Sequence, residues 1–170
     1  MRHIRDDTRE PGESISHLAA WAKDMMEPAF YEYPIFEDTR GWSVMNMMQG
    51  HMDGGQLNYS EIRAGAVKAW HAHAHQTDFW FCTSGTILVG ILRIVPGKID
   101  PIIWRKVLSN KRPGILIIPP KLWHGYRALD CLGSAGLLYY VDREYDTKNP
   151  DESRKGWNHF EIFDWSILNG

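Results

Sequence analysis

Residues 67–94 read VKAWHAHAHQTDFWFCTSGTILVGILRI, and this stretch decides the fold. Its first nine residues alternate as a half-buried strand does, because successive side chains of a strand point to opposite faces. His71, His73 and His75 therefore share one face, and Trp70, Ala72 and Ala74 the other. Two more β-type runs, 78–83 and 86–94, follow with the turn signal Ser84-Gly85 between them. Same-face neighbours on a strand lie ~6.6 Å apart, so two imidazoles one step apart can converge on one ion. His71 and His75, ~13 Å apart, cannot do so alone. The chelating pair is either His71/His73 or His73/His75.

The same punctuation continues outward. Short β-type runs at 42–48, 56–62, 102–108, 115–118, 123–128 and 136–141 are separated by Asp53-Gly54-Gly55, Pro96-Gly97 and Pro113-Gly114. About nine short strands with regular turns predict an all-β sandwich or barrel. Long helices do not alternate with strands, which disfavours a Rossmann-type sheet. One amphipathic helix is predicted over 14–27. Ser14 is its N-cap, Ile15, Leu18, Ala19, Ala22, Met25 and Met26 form its apolar face, and Pro28 stops it. Residues 1–13 are polar and mixed in charge and read as a solvated arm. The expected organisation is arm and helix over 1–41, barrel over 42–145 and a wrapping tail over 146–170, with Trp157, Phe160, Phe163 and Trp165 as the tail's anchors.

Composition narrows the function. The 170 residues fit one domain. Lys+Arg 19 against Asp+Glu 21 gives a net charge of −2, with no basic excess for a nucleic-acid partner. No polybasic run or long apolar segment points to a membrane. Only two cysteines, Cys82 and Cys131, are present and no secretory signal is visible, so a reducing cytoplasm is expected. The 8 Trp and the extra apolar helix predict a homodimer.

Asp78 follows the histidine run, and His124 sits in a second motif, PPKLWHGY. Three imidazoles and one carboxylate suit Zn, Fe(II), Mn, Ni or Cu without choosing among them. The pattern Gly65-x5-His71-x-His73-x4-Asp78-x6-Gly85 resembles the first cupin motif, with Asp78 where cupins usually carry Glu. Gly114-x4-Pro119-x-Lys121-x2-His124 resembles the second. It departs by one residue of spacing, by Lys121 for a glycine and by Ala128 for an asparagine. The resemblance implies a double-stranded β-helix, or jelly roll, with the histidines inside.

A closer resemblance covers roughly residues 65–165. KAWH at 68–71, LSNKRPGILIIPPKLWHGY at 108–126, LLYYVDREYD at 137–146 and FDW at 163–165 are similar to segments of the dTDP-4-dehydrorhamnose 3,5-epimerase (RmlC-like) family. That match implies His71 as the catalytic base and Tyr139 as the acid. It also implies Tyr145 as a second active-site tyrosine, and Lys68 in place of a phosphate-binding arginine. Two departures stand out. An active-site lysine is expected near Asp78, so the charge there is reversed. The family's acidic partner of the base lies beyond the Asp-Trp segment, and only five residues follow Trp165, so that partner is expected to be missing.

Three readings follow. In the first, the chain is an epimerase or isomerase of a 4-keto-6-deoxy sugar nucleotide and needs no cofactor. His71 takes a proton beside the ketone and Tyr139 returns one from the far side. Lys68, Trp80, His124, Tyr126, Arg127 and Tyr145 bind the substrate, Lys68 or Arg127 at the diphosphate. In the alternative, His71, His73, Asp78 and His124 hold a divalent transition metal that activates a small polar molecule. A nitrogen on a metal cannot also be a free base, so the two readings use His71 differently. The third is a non-catalytic sugar-binding cupin with Trp70, Trp80, Trp104 or Trp123 as stacking platforms.

Overall fold

The computed structural model describes residues 2, 4–6, 14–129 and 133–166. The strands, in chain order, are β1 (Arg5–Asp6), β2 (Ala29–Glu32), β3 (Phe36–Asp38), β4 (Gly41–Ser43), β5 (Gln56–Ile62), β6 (Val67–Ala72), β7 (Asp78–Ser84), β8 (Thr86–Arg93), β9 (Ile102–Ser109), β10 (Gly114–Ile118), β11 (Trp123–Ala128), β12 (Ala135–Val141) and β13 (Ser153–Arg154). The one helix, α1 (Ile15–Met25), precedes β2. A six-stranded sheet in the order β1-β2-β10-β7-β12-β5 faces a five-stranded sheet in the order β13-β6-β11-β8-β9, and β3 and β4 form a separate hairpin. This is the expected all-β jelly roll with one N-terminal helix.

Strand alternation sorts the core into three layers. Trp80 and Cys82 of β7, Ile87, Val89 and Ile91 of β8, and Leu116 and Ile118 of β10 meet between the sheets. The alternate residues Phe79, Phe81, Ile115 and Ile117 face outward beneath α1, whose Ile15, Leu18, Ala19 and Ala22 are buried there. On the opposite outer face Trp70, Leu88 and Leu92 are covered by Phe163 and Trp165 of the tail. Gly90 makes that seat possible, because a Cβ on it would lie 2.5 Å from the Phe163 ring.

Several sequence expectations are corrected. Ser14 caps α1 as predicted, accepting from the His17 N–H, but the helix ends in a left-handed Met26 rather than at Pro28. Met25 is 51% exposed, outside the buried face. Residues 4–6 are not a solvated arm: Ile4 joins the core and β1 pairs with β2 in parallel. The rest of that arm, apart from Arg2, and Cys131 lie outside the described residues. The six-stranded sheet takes in β1 and β2, so it extends N-terminal of residue 42. Of the run at 42–48 only Trp42 and Ser43 are strand, the end of β4, because Asn46 and Gln49 adopt positive φ and turn the chain. The histidine strand stops at Ala72. Beyond it the Asp151 carboxylate takes the N–H groups of Ala74, His75 and Gln76, which then cannot join a ladder. Within the tail, β13 pairs with the free edge of β6. No helix among the described residues is long and apolar enough to cross a membrane.

Candidate active site

One mouth of the barrel opens on a cavity of about 700 Å³, between β6 of one sheet and β5, β7 and β12 of the other. Its floor is a cluster of four side chains. His71 comes from β6, His73 from just beyond it, Asp78 from the start of β7 and His124 from β11. His124 pairs with His71 across β6 and β11, so both rings point the same way, their centroids 4.1 Å apart. One donor atom from each of the four lies within 4.8 Å of the others, close enough to hold a metal ion. Of the two pairs the spacing leaves open, the structure brings together His71 and His73. His75 is exposed on the loop that Asp151 caps.

Asp78 is 2% exposed and surrounded by donors. Gln76 Nε2 donates to Oδ1 at 2.7 Å and Trp80 Nε1 to Oδ2 at 3.0 Å. His124 Nε2 lies 3.3 Å from Oδ2 and His73 Nε2 3.9 Å from Oδ1. Burial alone pushes the Asp78 carboxyl up, but the hydrogen bond and charge of His124, with the neighbouring imidazoles, outweigh it and hold the group well below the carboxylate range. His71 is lowered too, which for an imidazole favours the neutral form. Burial first, then the neighbouring His124, drives its imidazole well below the ordinary histidine value, against the pull of Asp78. It is neutral at pH 7. Tyr139 stays protonated, raised by burial and by the charges of Asp78 and Glu152.

Lys68 reaches the cavity through a backbone irregularity. It lies three residues before His71, so strict alternation would send it to the other face. The β6–β11 register slips between His124 and Gly125, putting His71 opposite His124 and Lys68 opposite Tyr126, and both face inward. Gly125 permits the close approach, because a Cβ there would strike the Ala69 backbone. Lys68 Nζ donates to Ser60 Oγ at 2.7 Å and to the Glu61 carbonyl at 2.9 Å.

Most of the predicted substrate-binding residues gather here. Trp80, Tyr126, Tyr139 and Tyr145 line the cavity, Tyr145 at its exposed rim. His124 lies beneath the lining, 2% exposed. Arg127 is a correction: one residue out of phase with Tyr126, it turns outward and its Nη1 donates to the Trp165 carbonyl at 2.7 Å. Trp123 packs under the tail and Trp104 is fully buried in the core, so of the four proposed platforms Trp70 and Trp80 border the cavity, and both are almost fully buried, Trp70 with its indole under the tail and Trp80 between the sheets.

Sequence reasoning missed two groups. Gln56, Asn58 and Ser60 of β5 face the cavity while Leu57 and Tyr59 face solvent. The inverted pattern of QLNYS, polar inside and apolar outside, was a legible signal. Glu152, Arg154 and Lys155 of the tail complete the wall, and nothing in their local sequence marks them.

The fold and site define a jelly-roll cupin whose barrel mouth holds ionisable side chains on both walls. No family model matches the chain. It is similar to the spore coat polysaccharide biosynthesis protein SpsL of Bacillus subtilis (strain 168), 31% identical over 120 residues, which cover 66% of this chain and 75% of that protein. The probable low-salt glycan biosynthesis epimerase Agl13 of Haloferax volcanii is 33% identical over 102 residues, 56% of this chain and 62% of its own. Among solved structures, a dTDP sugar isomerase from Desulfovibrio desulfuricans G20 matches with a TM-score of 0.71 and 19% identity, over 84% of this chain and 92% of that one. The chain belongs to the same family as SpsL, and its fold is the RmlC-like jelly roll of the dTDP-4-dehydrorhamnose 3,5-epimerases.

Proposed function

We propose that the protein is a carbohydrate epimerase or isomerase acting on a 4-keto-6-deoxy sugar nucleotide. The observation that carries this reading is that His71 and Tyr139 line one cavity from opposite sheets, His71 on β6 and Tyr139 on β12. Inversion beside a ketone needs a base on one face of the sugar and an acid on the other. His71, neutral through burial, takes the carbon-bound proton, and the electron pair moves into the enolate. Tyr139, protonated, returns a proton from the far side. Lys68 offers a cation to the diphosphate, and Trp80 borders the cavity beside the sugar. The step needs no organic cofactor. The wild-type protein is expected to wash solvent deuterium into C3 or C5 of such a substrate. His71→Ala should abolish the exchange, while Tyr139→Phe keeps exchange at one carbon and loses inversion. No uptake by the wild type across several such sugar nucleotides would overturn the reading.

A second reading is favoured by the wiring of the floor. His124 Nδ1 donates to the Leu122 carbonyl at 2.9 Å, and His73 Nδ1 to the Asp151 carbonyl. A carbonyl only accepts, so Nδ1 carries a proton in both rings, and Nε2 of each points toward the Asp78 carboxylate, 3.3 Å away for His124 and 3.9 Å for His73. Histidines that ligate metals are oriented in this way. In that reading a divalent metal sits among His71, His73, Asp78 and His124. Protein purified without a His tag should then contain stoichiometric metal by elemental analysis, and His73→Ala should lose most of it. Unchanged content in His73→Ala rules this site out.

The assembly we infer is a homodimer in the cytoplasm. Supporting it are the apolar side chains left in water on the outer face of the six-stranded sheet and on the hairpin, among them Leu57, Tyr59, Phe36 and Trp42.

A further inference from the structure

The tail crosses the cavity mouth as β13, antiparallel to β6, with Arg154 opposite His71 and Ser153 opposite Ala72. Glu152 and Arg154 lie two residues apart, share one side of the tail, and both line the cavity. Arg154 Nη2 donates to Glu152 Oε2 at 2.8 Å. The two ends of this pair sit in different surroundings. The Arg154 side chain is 77% exposed and that of Glu152 only 14%. Glu152 also borders a second cleft, of about 450 Å³, beside His73 and Tyr145.

We propose that Glu152 and Arg154 form a clasp that the substrate opens: Arg154 leaves Glu152 for the diphosphate, and the released Glu152 carboxylate accepts a hydroxyl of the sugar. The proposal rests on the sugar-nucleotide reading above and names two residues that determine its substrate. An ion pair at a solvent-exposed guanidinium is weak. A diphosphate offers more charge and several oxygens to a planar fork of five N–H donors, of which Glu152 takes one. Lys68, the other cation on this wall, already donates to Ser60 and to the Glu61 carbonyl. Once unpaired, a carboxylate largely withdrawn from water needs a new donor. A sugar ring in the cavity brings hydroxyls to it. The same exchange makes binding selective, since a ligand without the diphosphate leaves the clasp shut.

The test is isothermal titration of dTDP, UDP, CDP and GDP into wild type, Glu152→Gln, Arg154→Met and Arg154→Lys, with thermal melting as a control for folding. Arg154→Met should weaken the best-bound diphosphate about ten- to hundredfold, the size of a charged hydrogen bond, and Arg154→Lys should recover part of that. Glu152→Gln should tighten the same ligand about two- to fivefold, because the competing ion pair is gone. It should also slow turnover of the keto sugar nucleotide. Opposite signs in the two variants identify the clasp, since a merely structural pair would weaken binding in both. Weaker binding in Glu152→Gln, or unchanged binding in Arg154→Met, overturns it. Diphosphate binding with this pattern but no deuterium uptake supports the clasp and removes the epimerase reading. A wild type that binds none of the four diphosphates overturns the clasp and the nucleotide part of that reading together.

Discussion

Along β7 and β11 the inward-facing positions change character within a few residues. On β7 they run Asp78, Trp80, Cys82, and on β11 His124, Tyr126, Ala128. One end of each strand carries the ionisable floor of the cavity, and the other belongs to the closed core with Trp104, Leu108 and Ile87. The two halves of the barrel interior share strands, register and alternation. They differ in what fills them. The closed half is packed with aliphatic and aromatic side chains, whereas the open half keeps a 700 Å³ cavity over a buried carboxylate and three imidazoles. The packed half supplies the rigidity that lets the open half remain unfilled, because a cavity contributes no dispersion contacts of its own.

If the halves divide labour in this way, substitutions in each should act on different observables. The largest effect is expected at His71. His71→Ala should lower turnover by ~10²–10⁴-fold, as loss of a general base does, with little change in melting temperature. Leu116→Ala, in the packed half, should cost ~2–5 kcal/mol in denaturant unfolding. Deuterium exchange per folded molecule should stay as in wild type, and a parallel loss of exchange would end the division.

Gly90→Ala tests the outer support. The new methyl would press on Phe163, and displacing that ring should cost ~1–3 kcal/mol. Because the tail also carries Glu152 and Arg154, the change should weaken substrate binding from the far side of the sheet. Unaltered KM would show that the tail's anchors and its cavity residues are independent.

The smallest effect at neutral pH concerns the acid limb of stability. His71 is held below its unfolded value of about 6.5, so below that pH the unfolded chain binds a proton that the native chain refuses, and stability falls. Asp78 is depressed below about 3.9, so its contribution is present above that value and is lost as pH falls further. Acid unfolding should therefore show two stages. His71→Gln should remove the upper stage alone, read from urea midpoints between pH 7 and 4.

Periodicity made most of the barrel legible. The limits of β5 and β11 match their predicted runs, and the helix N-cap was read from one serine. The floor of the site was legible too, because the cupin-like spacing names its four residues. What periodicity could not supply was phase after an irregularity. The register slip beside Gly125 sends Lys68 inward, while regular alternation along β11 sends Arg127 outward. Nor could it supply contacts made at long range. β13 is only two residues long, and its place is set by pairing with β6 rather than by its own sequence. His75 stayed open as the alternative partner of His73 because the run HAHAH continues past the point where Asp151 bends the chain.

The position of β13 also bears on how the molecule is made. During synthesis β6 emerges well before residues 153–154, and until they arrive its edge has unpaired N–H and C=O groups beside a hydrophobic face. Trp70, which ends up 1% exposed, waits for Phe163 and Trp165 over the same interval. The nascent barrel thus passes through a stage in which a sticky edge and an uncovered indole are available to other chains. Residues 152–165, made long after β6, both close that window and deliver the wall of the cavity, so a ribosome that stalls near residue 150 releases a species prone to aggregate and unable to turn over substrate.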